Sequence, residues 1–299
     1  MAGMGERRLF EVAGHRFEIL PPAGADADTV LKAYLPFELR SDADAAPLFT
    51  LRSASHEDFG GNYGNPLGRF NDEPPYIWIY DRQDLLVFGF SLSTDKPDFR
   101  LCISPDFSCG SMVLPQDCPD ALASFAVSNS AMMMYMLATA GLDTLLIHAS
   151  TVILDGCGYA FTGRSGSGKS THSRLWLSNI DGCMLLNDDN PVVRIIDGRA
   201  FVFGSPWSGK TPCWKNMSAP LKAVVHIFQA PENRIEKLAG IQAYASFITS
   251  CSCMKWNRKV CDGVNACVEK LIGLCGFYNL YCLPDREAAL LCRGEVSGN

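Results

Sequence analysis

The chain of 299 residues is short of charge: Asp, Glu, Lys and Arg make up 19% of it, and the net charge is −6. No run of lysines or arginines builds a basic stripe, so no nucleic-acid partner is expected. The first residues, Met-Ala-Gly-Met-Gly-Glu-Arg-Arg-Leu-Phe, lack an apolar core behind their charges, so no secretory leader is expected. Cysteine is abundant at thirteen, yet no C-x-x-C pair occurs, which disfavours zinc or iron–sulfur ligation. An odd count with no export signal points to reduced thiols in the cytoplasm, most of them packing positions. Residues 1–110 show no internal repeat.

One long stretch is free of charge, Ala121 to Gly141. Ser124, Ser128, Asn129 and Ser130 interrupt its apolar character, and Pro119-Asp120 and Gly141 make a plausible start and stop. It therefore reads as a buried helix rather than a membrane span. Met132, Met133, Met134 and Met136 read as core filler, with an adaptable pocket lining as the alternative.

The chain changes character near residue 110. Before it come short strand-like pieces separated by turn-rich sequence: Leu9 to Val12, Phe17 to Leu20, Leu48 to Leu51, Tyr76 to Tyr80, Leu85 to Phe90 and Phe99 to Ile103. Gly60 to Pro75, with four glycines, three asparagines and three prolines, reads as a long loop. Residues 1–110 are expected to form a β-rich domain without a catalytic cluster. Residues 111–299 are expected to form a second, mixed α/β domain, entered through a linking helix over 119–141.

In that second part, Leu145 to Leu154 is an apolar, β-branched run interrupted by His148. Asp155-Gly156 predicts a hairpin turn, so the strand Tyr159 to Thr162 should pair antiparallel with its predecessor. A helix is expected at Lys169 to Ser178 and strands at Cys183 to Leu186, Val192 to Ile196, Ala200 to Phe203 and Leu221 to Phe228. Helices follow at Ala239 to Thr249 and Val260 to Gly273, then a strand at Phe277 to Leu283 and a helix at Asp285 to Leu291.

The most specific signal is Gly163-Arg-Ser-Gly-Ser-Gly-Lys-Ser170, which fits G-x-x-x-x-G-K-[ST], the phosphate-binding loop. Main-chain N–H groups of Ser165, Gly166, Ser167, Gly168, Lys169 and Ser170 would point at phosphate oxygens, beside Gly163 and Thr171. Lys169 would reach the outer phosphates and the Ser170 hydroxyl would hold Mg²⁺. A glycine- and serine-rich surface turn is the alternative reading.

Asn187-Asp188-Asp189 follows an apolar strand downstream of that loop, where an acidic residue commonly holds Mg²⁺. The metal set expected is Ser170, Asp188 and Asp189, with a turn cap encouraged by Pro191 as the bland alternative. His148 lies in the strand neighbouring the loop and is a candidate for the same site. His172 and Arg174 fall on the first turns of the helix after the loop; His15, His56 and His226 suggest structural roles only. A second glycine-bearing loop, Gly204-Ser-Pro-Trp-Ser-Gly-Lys210, offers Trp207 as an apolar face and Lys210 as a charge, with Lys215 beyond, and is expected to close over an acceptor.

Together, His148, Gly163 to Thr171 and Asp188-Asp189 resemble the HPr kinase/phosphorylase superfamily, related in fold to phosphoenolpyruvate carboxykinase. The resemblance spans about residues 143–230. The Trp207 loop looks like the family's uncharacterised HPr-kinase-like branch rather than the HPr kinases themselves. The resemblance implies a P-loop kinase domain, ATP (or another nucleotide) and Mg²⁺ as cofactors, phosphoryl transfer, Asp188 as metal ligand and His148 as an active-site residue. In HPr kinases the residue after the first glycine is typically an Asp general base. Here it is Arg164, whose guanidinium cannot accept a proton. The base is then Asp189 or His148, or the acceptor arrives anionic, and Arg164 could stabilise phosphoryl charge. The catalytic set expected is Lys169, Asp189, His148 and Arg164. The acceptor is a small molecule or a peptide hydroxyl. The alternatives are a non-catalytic nucleotide-binding regulator and an ATPase driving a partner.

Overall fold

The computed structural model describes residues 6–39, 46–69, 74–93, 96–209 and 211–298. The chain divides into two compact units, Met1–Ala138 and Thr139–Asn299, both of mixed α/β character.

The first unit is built on β1 (Arg8–Val12), β2 (His15–Ile19), the short α1 (Ala27–Val30), β3 (Thr50–Ala54), β4 (Asn65–Arg69), β5 (Tyr76–Asp81), β6 (Leu86–Ser91), β7 (Phe99–Ile103), β8 (Cys109–Val113) and α2 (Asp120–Thr139). Its eight strands form one sheet in the order β1-β2-β3-β8-β7-β6-β5-β4. β3 runs parallel to both neighbours and every other pair is antiparallel. α2 is long and apolar enough, by length and composition, to cross a membrane. Here its small side chains Ala123, Ala126 and Ala131 are buried. Phe125 meets Phe99 edge-on at 5.8 Å, and Tyr135 Oη donates to the Val12 carbonyl at 3.0 Å. Met134 occupies the space over Gly110, where a Cβ would come within 2.9 Å of its sulfur.

Three sequence expectations change here. The division expected near residue 110 falls instead at 138/139, because β8 and α2 complete the first unit's core rather than linking to the second. The stretch read as a loop over 60–75 contains β4, an exposed edge strand whose Pro66 and Gly68 hide it from a propensity reading. β8, with Gly110 and Ser111 inside it, gave no strand signal.

The second unit contains β9 (Thr144–Leu146), β10 (Ala149–Leu154), β11 (Cys157–Thr162), α3 (Lys169–Asn179), β12 (Met184–Asp189), β13 (Val192–Ile196), β14 (Arg199–Phe203), β15 (Ser218–Gln229), β16 (Arg234–Leu238), α4 (Gly240–Ile248), α5 (Arg258–Ile272), β17 (Gly276–Cys282) and α6 (Arg286–Ser297). β10 and β11 are antiparallel through Asp155-Gly156, both at positive φ, as a tight hairpin of this type requires. The run Leu145 to Leu154 is not one strand. It breaks at His148, whose N–H donates to the Ser250 carbonyl at 2.7 Å, and the halves β9 and β10 pair with different partners. β16 was not anticipated; it is a charged, exposed edge strand.

The long β15 pairs with β14 at its start, then lies between β11 and β17, parallel to both. β12 points the same way as β11, because β10 lies antiparallel between them. The carboxyl ends of β11, β12, β15 and β17 therefore share one edge. One face of this sheet carries Trp176 of α3 with Ala288, Ala289, Cys292 and Val296 of α6. The opposite face carries Ala243 and Phe247 of α4 with Val264, Val268 and Leu271 of α5. Fully buried Phe161 and Leu280 each stabilise such a core by about 1.5–3 kcal/mol relative to exposure. All thirteen cysteines are free thiols, and burial raises the pKa of most of them, as at Cys275 and Cys267.

Candidate functional site

In open α/β sheets, ligands bind outside the carboxyl ends of the parallel strands. β11 ends there at Thr162 and gives way to the loop Gly163 to Gly168, which leads into α3. Gly163, Gly166 and Gly168 all have positive φ, at 141°, 75° and 103°. At Gly163 the freedom is needed twice over, since a Cβ would stand 2.5 Å from Ser167 Oγ and 3.0 Å from the Ile227 carbonyl. Ser167 N–H donates to the Arg164 carbonyl at 3.1 Å, and the Gln229 amide holds the Gly166 carbonyl at 3.1 Å. The Ser167 hydroxyl is buried and has no hydrogen-bond partner among the described residues. Ser165 is exposed, while Ser170 at the start of α3 is partly exposed and Thr171 exposed.

Lys169 opens α3, and its side chain folds back into the loop: Nζ donates to the Gly163 carbonyl at 3.0 Å and the Arg164 carbonyl at 3.2 Å. Burial lowers its pKa, against the opposing pull of Asp189 and Asp188. Arg164 is exposed.

The acid pair is set by the sheet. β12 extends three residues beyond the expected Leu186, so Asp188 and Asp189 lie inside its end, opposite Ser150 and Ala149 of β10. Ser173 Oγ on α3 donates to Ser150 Oγ at 2.6 Å, and Ser150 Oγ donates to Asp188 Oδ1 at 2.7 Å. His148, at the break before β10, places Nε2 3.4 Å from Asp189 Oδ1. Burial raises the Asp189 pKa, opposed by His148 and Lys169 and reinforced by Asp188. Desolvation and Lys169 lower the His148 pKa, and Asp189 opposes them.

Lys169, Asp188, Asp189 and His148 thus act on one another electrostatically at one edge. Among the described residues no group of three or more His, Cys, Asp or Glu side chains is arranged to hold a metal ion. The oxygen donors present are two carboxylates, with the Ser170 hydroxyl in the first turn of α3. Such a set fits a hard cation that keeps several waters, and does not fit a soft one.

The loop after β14 runs beside the acid pair. Gly209 N–H approaches the Asp188 carbonyl at 3.4 Å, and Ser208 bridges to Asp189. Asn187 Nδ2 donates to Ser205 Oγ at 3.1 Å, and Lys215 Nζ donates to the Leu185 carbonyl at 2.6 Å. Trp207 does not offer the free apolar face expected of it: it is 3% exposed, because this loop is pinned to β12 through its main chain. Lys210 lies outside the described residues. His172 faces away from the site into the core, edge-on to Phe161, with Nε2 accepting from Trp176 Nε1 at 3.1 Å.

Two residues of this edge escaped the sequence reading, and a third, His226, was read as structural only. Ser150 and Ser173 reach Asp188 only through strand pairing and helix packing, which no local pattern shows. His226 pairs with Thr162 across β15 and β11, with Nδ1 3.4 Å from Thr162 Oγ1. Burial, Lys169 and Arg164 lower its pKa, against a hydrogen bond to the Ser246 main chain.

No protein-family model matches the chain, and no curated protein matches it. Among solved structures, the Hpr(Ser) kinase/phosphatase from Coxiella burnetii aligns over 50% of this chain and 95% of its own length, at a TM-score of 0.29 and 11% identity. A superposition that loose does not transfer chemistry from one chain to the other.

Proposed function

We propose that Thr139–Asn299 is an ATP- and Mg²⁺-dependent kinase domain of the HPr kinase/phosphorylase-like type, transferring a phosphoryl group to a small molecule or a peptide hydroxyl. The observation that carries this reading is the convergence of Lys169 with Asp188 and Asp189 at the carboxyl edge, where a glycine loop leads into α3. The loop's main-chain N–H groups and the helix dipole favour phosphate oxygens. Lys169 would exchange the Gly163 and Arg164 carbonyls for the transferred group, an exchange a buried and already partly desolvated ammonium makes at low cost. Bound Mg²⁺, held by Ser170 and Asp188, would supply charge neutralisation on the phosphates and leave Asp189 free to act as a base. With Arg164 unable to take a proton, Asp189 accepts it from the acceptor hydroxyl, its basicity raised by burial. His148 beside it orients the carboxylate, or takes the proton itself when its ring is unprotonated.

A second reading, nucleotide binding without transfer or an ATPase driving a partner, is favoured by one observation: the position of the usual general base holds exposed Arg164. γ-Labelled ATP decides between them when incubated with the protein and with metabolite and peptide pools. Label on an acceptor is the expected result, and Lys169→Ala should abolish it while circular dichroism shows the fold unchanged. Free phosphate alone supports an ATPase, and unconsumed bound ATP a sensor. Full transfer by Lys169→Ala would remove the mechanism.

A further inference from the structure

The first unit holds an open cleft of about 1810 Å³ on the sheet face turned away from α2. Gly110 and Phe99 face α2, so strand alternation sends Ser111, Val113, Arg100 and Cys102 to the opposite face. Register places two rows side by side across β3, β8 and β7: Arg52–Ser111–Cys102 and Ala54–Val113–Arg100. Small and medium side chains thus floor the cleft, with one arginine position at each end of the diagonal.

Arg100 is built in rather than dangling. Its guanidinium lies 4.7 Å from the Tyr63 ring and 5.6 Å from the Tyr80 ring, and its Nε is buried with no hydrogen-bond partner among the described residues. A planar fork held by aromatic rings matches the two oxygens of a carboxylate. Desolvation pushes the Cys102 thiol up to about 12, so the floor adds no negative charge of its own. The rim differs in sign: Glu57, Asp58, Asp98 and Asp117 all line it. Asp58 accepts from Ser55 N–H at 2.8 Å and Asp98 from Leu92 N–H at 2.9 Å, which fixes both acids in place. A ligand that satisfies floor and rim together carries one oxyanion and a neutral or cationic remainder. A polyanion such as a nucleotide would meet the rim acids.

We propose that this cleft binds the carboxylate end of an amino acid or short peptide, gripped by Arg52 and Arg100, with the rim acids facing its neutral or cationic part. The site lies wholly within Met1–Ala138 and does not depend on the nucleotide chemistry proposed for the other unit.

Calorimetric titration of the full chain tests it, with three sets of probes: the free amino acids, tripeptides with free carboxyl termini, and the same tripeptides amidated. The expected result is binding by at least one free-carboxylate compound, weakened at least ~10-fold by amidation. Response to amino acids alone or only to tripeptides identifies which source the cleft serves. Arg52→Gln, a change at an exposed side chain, and Arg100→Lys, which keeps the charge and loses the fork, should each weaken binding by a similar factor. Lys169→Ala should leave it unchanged. The proposal fails if no carboxylate compound binds, if amidated tripeptides bind equally well, or if Arg52→Gln in a folded protein has no effect. It fails also if orthophosphate or ATP, rather than a carboxylate, is what Arg52 and Arg100 hold.

Discussion

The Ser150 hydroxyl donates to Asp188 Oδ1 at 2.7 Å while accepting from Ser173 Oγ at 2.6 Å. One hydroxyl thereby joins β10, the end of β12 and the second turn of the helix that begins at Lys169. The carboxylate proposed to grip the metal is oriented by the helix that would bind the phosphates. Ser150→Ala should free Asp188 to rotate and leave the buried Ser173 hydroxyl without its acceptor. Loss of such an orienting partner weakens metal affinity by about 10–100-fold, and the stranded hydroxyl costs about 1–3 kcal/mol of stability. Mg²⁺ dependence of turnover and denaturant unfolding measure the two effects separately. An unchanged Mg²⁺ dependence would show that the contact is only structural.

Asp189 and His148 give the pH profile its sign. Burial raises the Asp189 pKa above the ordinary carboxylate value, so turnover should rise with pH as Asp189 ionises. His148 opposes that rise, so His148→Gln should move this acid limb to higher pH, whereas Asp189→Asn should remove the limb together with most of the activity. A limb that survives Asp189→Asn would assign the base to His148, whose own pKa is lowered by desolvation and Lys169.

Two glycines of the loop should respond differently to alanine. Gly163→Ala places a Cβ 2.5 Å from Ser167 Oγ and 3.0 Å from the Ile227 carbonyl, at a φ of 141°. The Ile227 oxygen belongs to β15 and cannot yield, so loop and nucleotide affinity should both suffer, with a stability loss of about 1–3 kcal/mol. Gly166→Ala meets nothing within 4 Å and pays only for φ 75°, about 1 kcal/mol. Melting temperatures and nucleotide titrations of the pair check the order.

Local chemistry made much of the second unit legible. The Asp155-Gly156 turn fixes the β10–β11 hairpin, and the glycine–lysine motif places the loop and the start of α3, because both depend on residues adjacent in sequence. His148 and the acid pair were legible as candidates because they flank the motif's strand. What failed depended on partners distant in sequence. The break at His148 is imposed by Ser250, the burial of Trp207 by the main chain of β12, and the role of Ser150 by a helix packed across the sheet. β4, β8 and β16 are set by their neighbours in the sheets, and their glycines, proline and charges carry no strand signal of their own.

His172 shows what the core does with a polar residue of α3. It is 2% exposed, and burial pushes its pKa down to about 4 from an ordinary 6.5. Nε2 accepts the Trp176 proton, so the neutral ring carries its own proton on Nδ1, a nitrogen buried without a partner among the described residues. The depressed pKa means that the unfolded chain binds a proton between pH 6.5 and 4 where the folded chain does not. Stability should therefore be unaffected above pH 6.5 and fall as the pH drops through that window, by about 3 kcal/mol from this residue once pH 4 is reached. Denaturant unfolding of the parent and of His172→Phe across pH 4 to 7 isolates the contribution. The variant loses the Trp176 hydrogen bond at every pH but should lack this slope, so the difference in stability between the two proteins should shift in the variant's favour on acidification. A difference that stays constant with pH would mean that His172 is protonated in the folded protein, and that the core around Phe161 and Trp176 admits a charge.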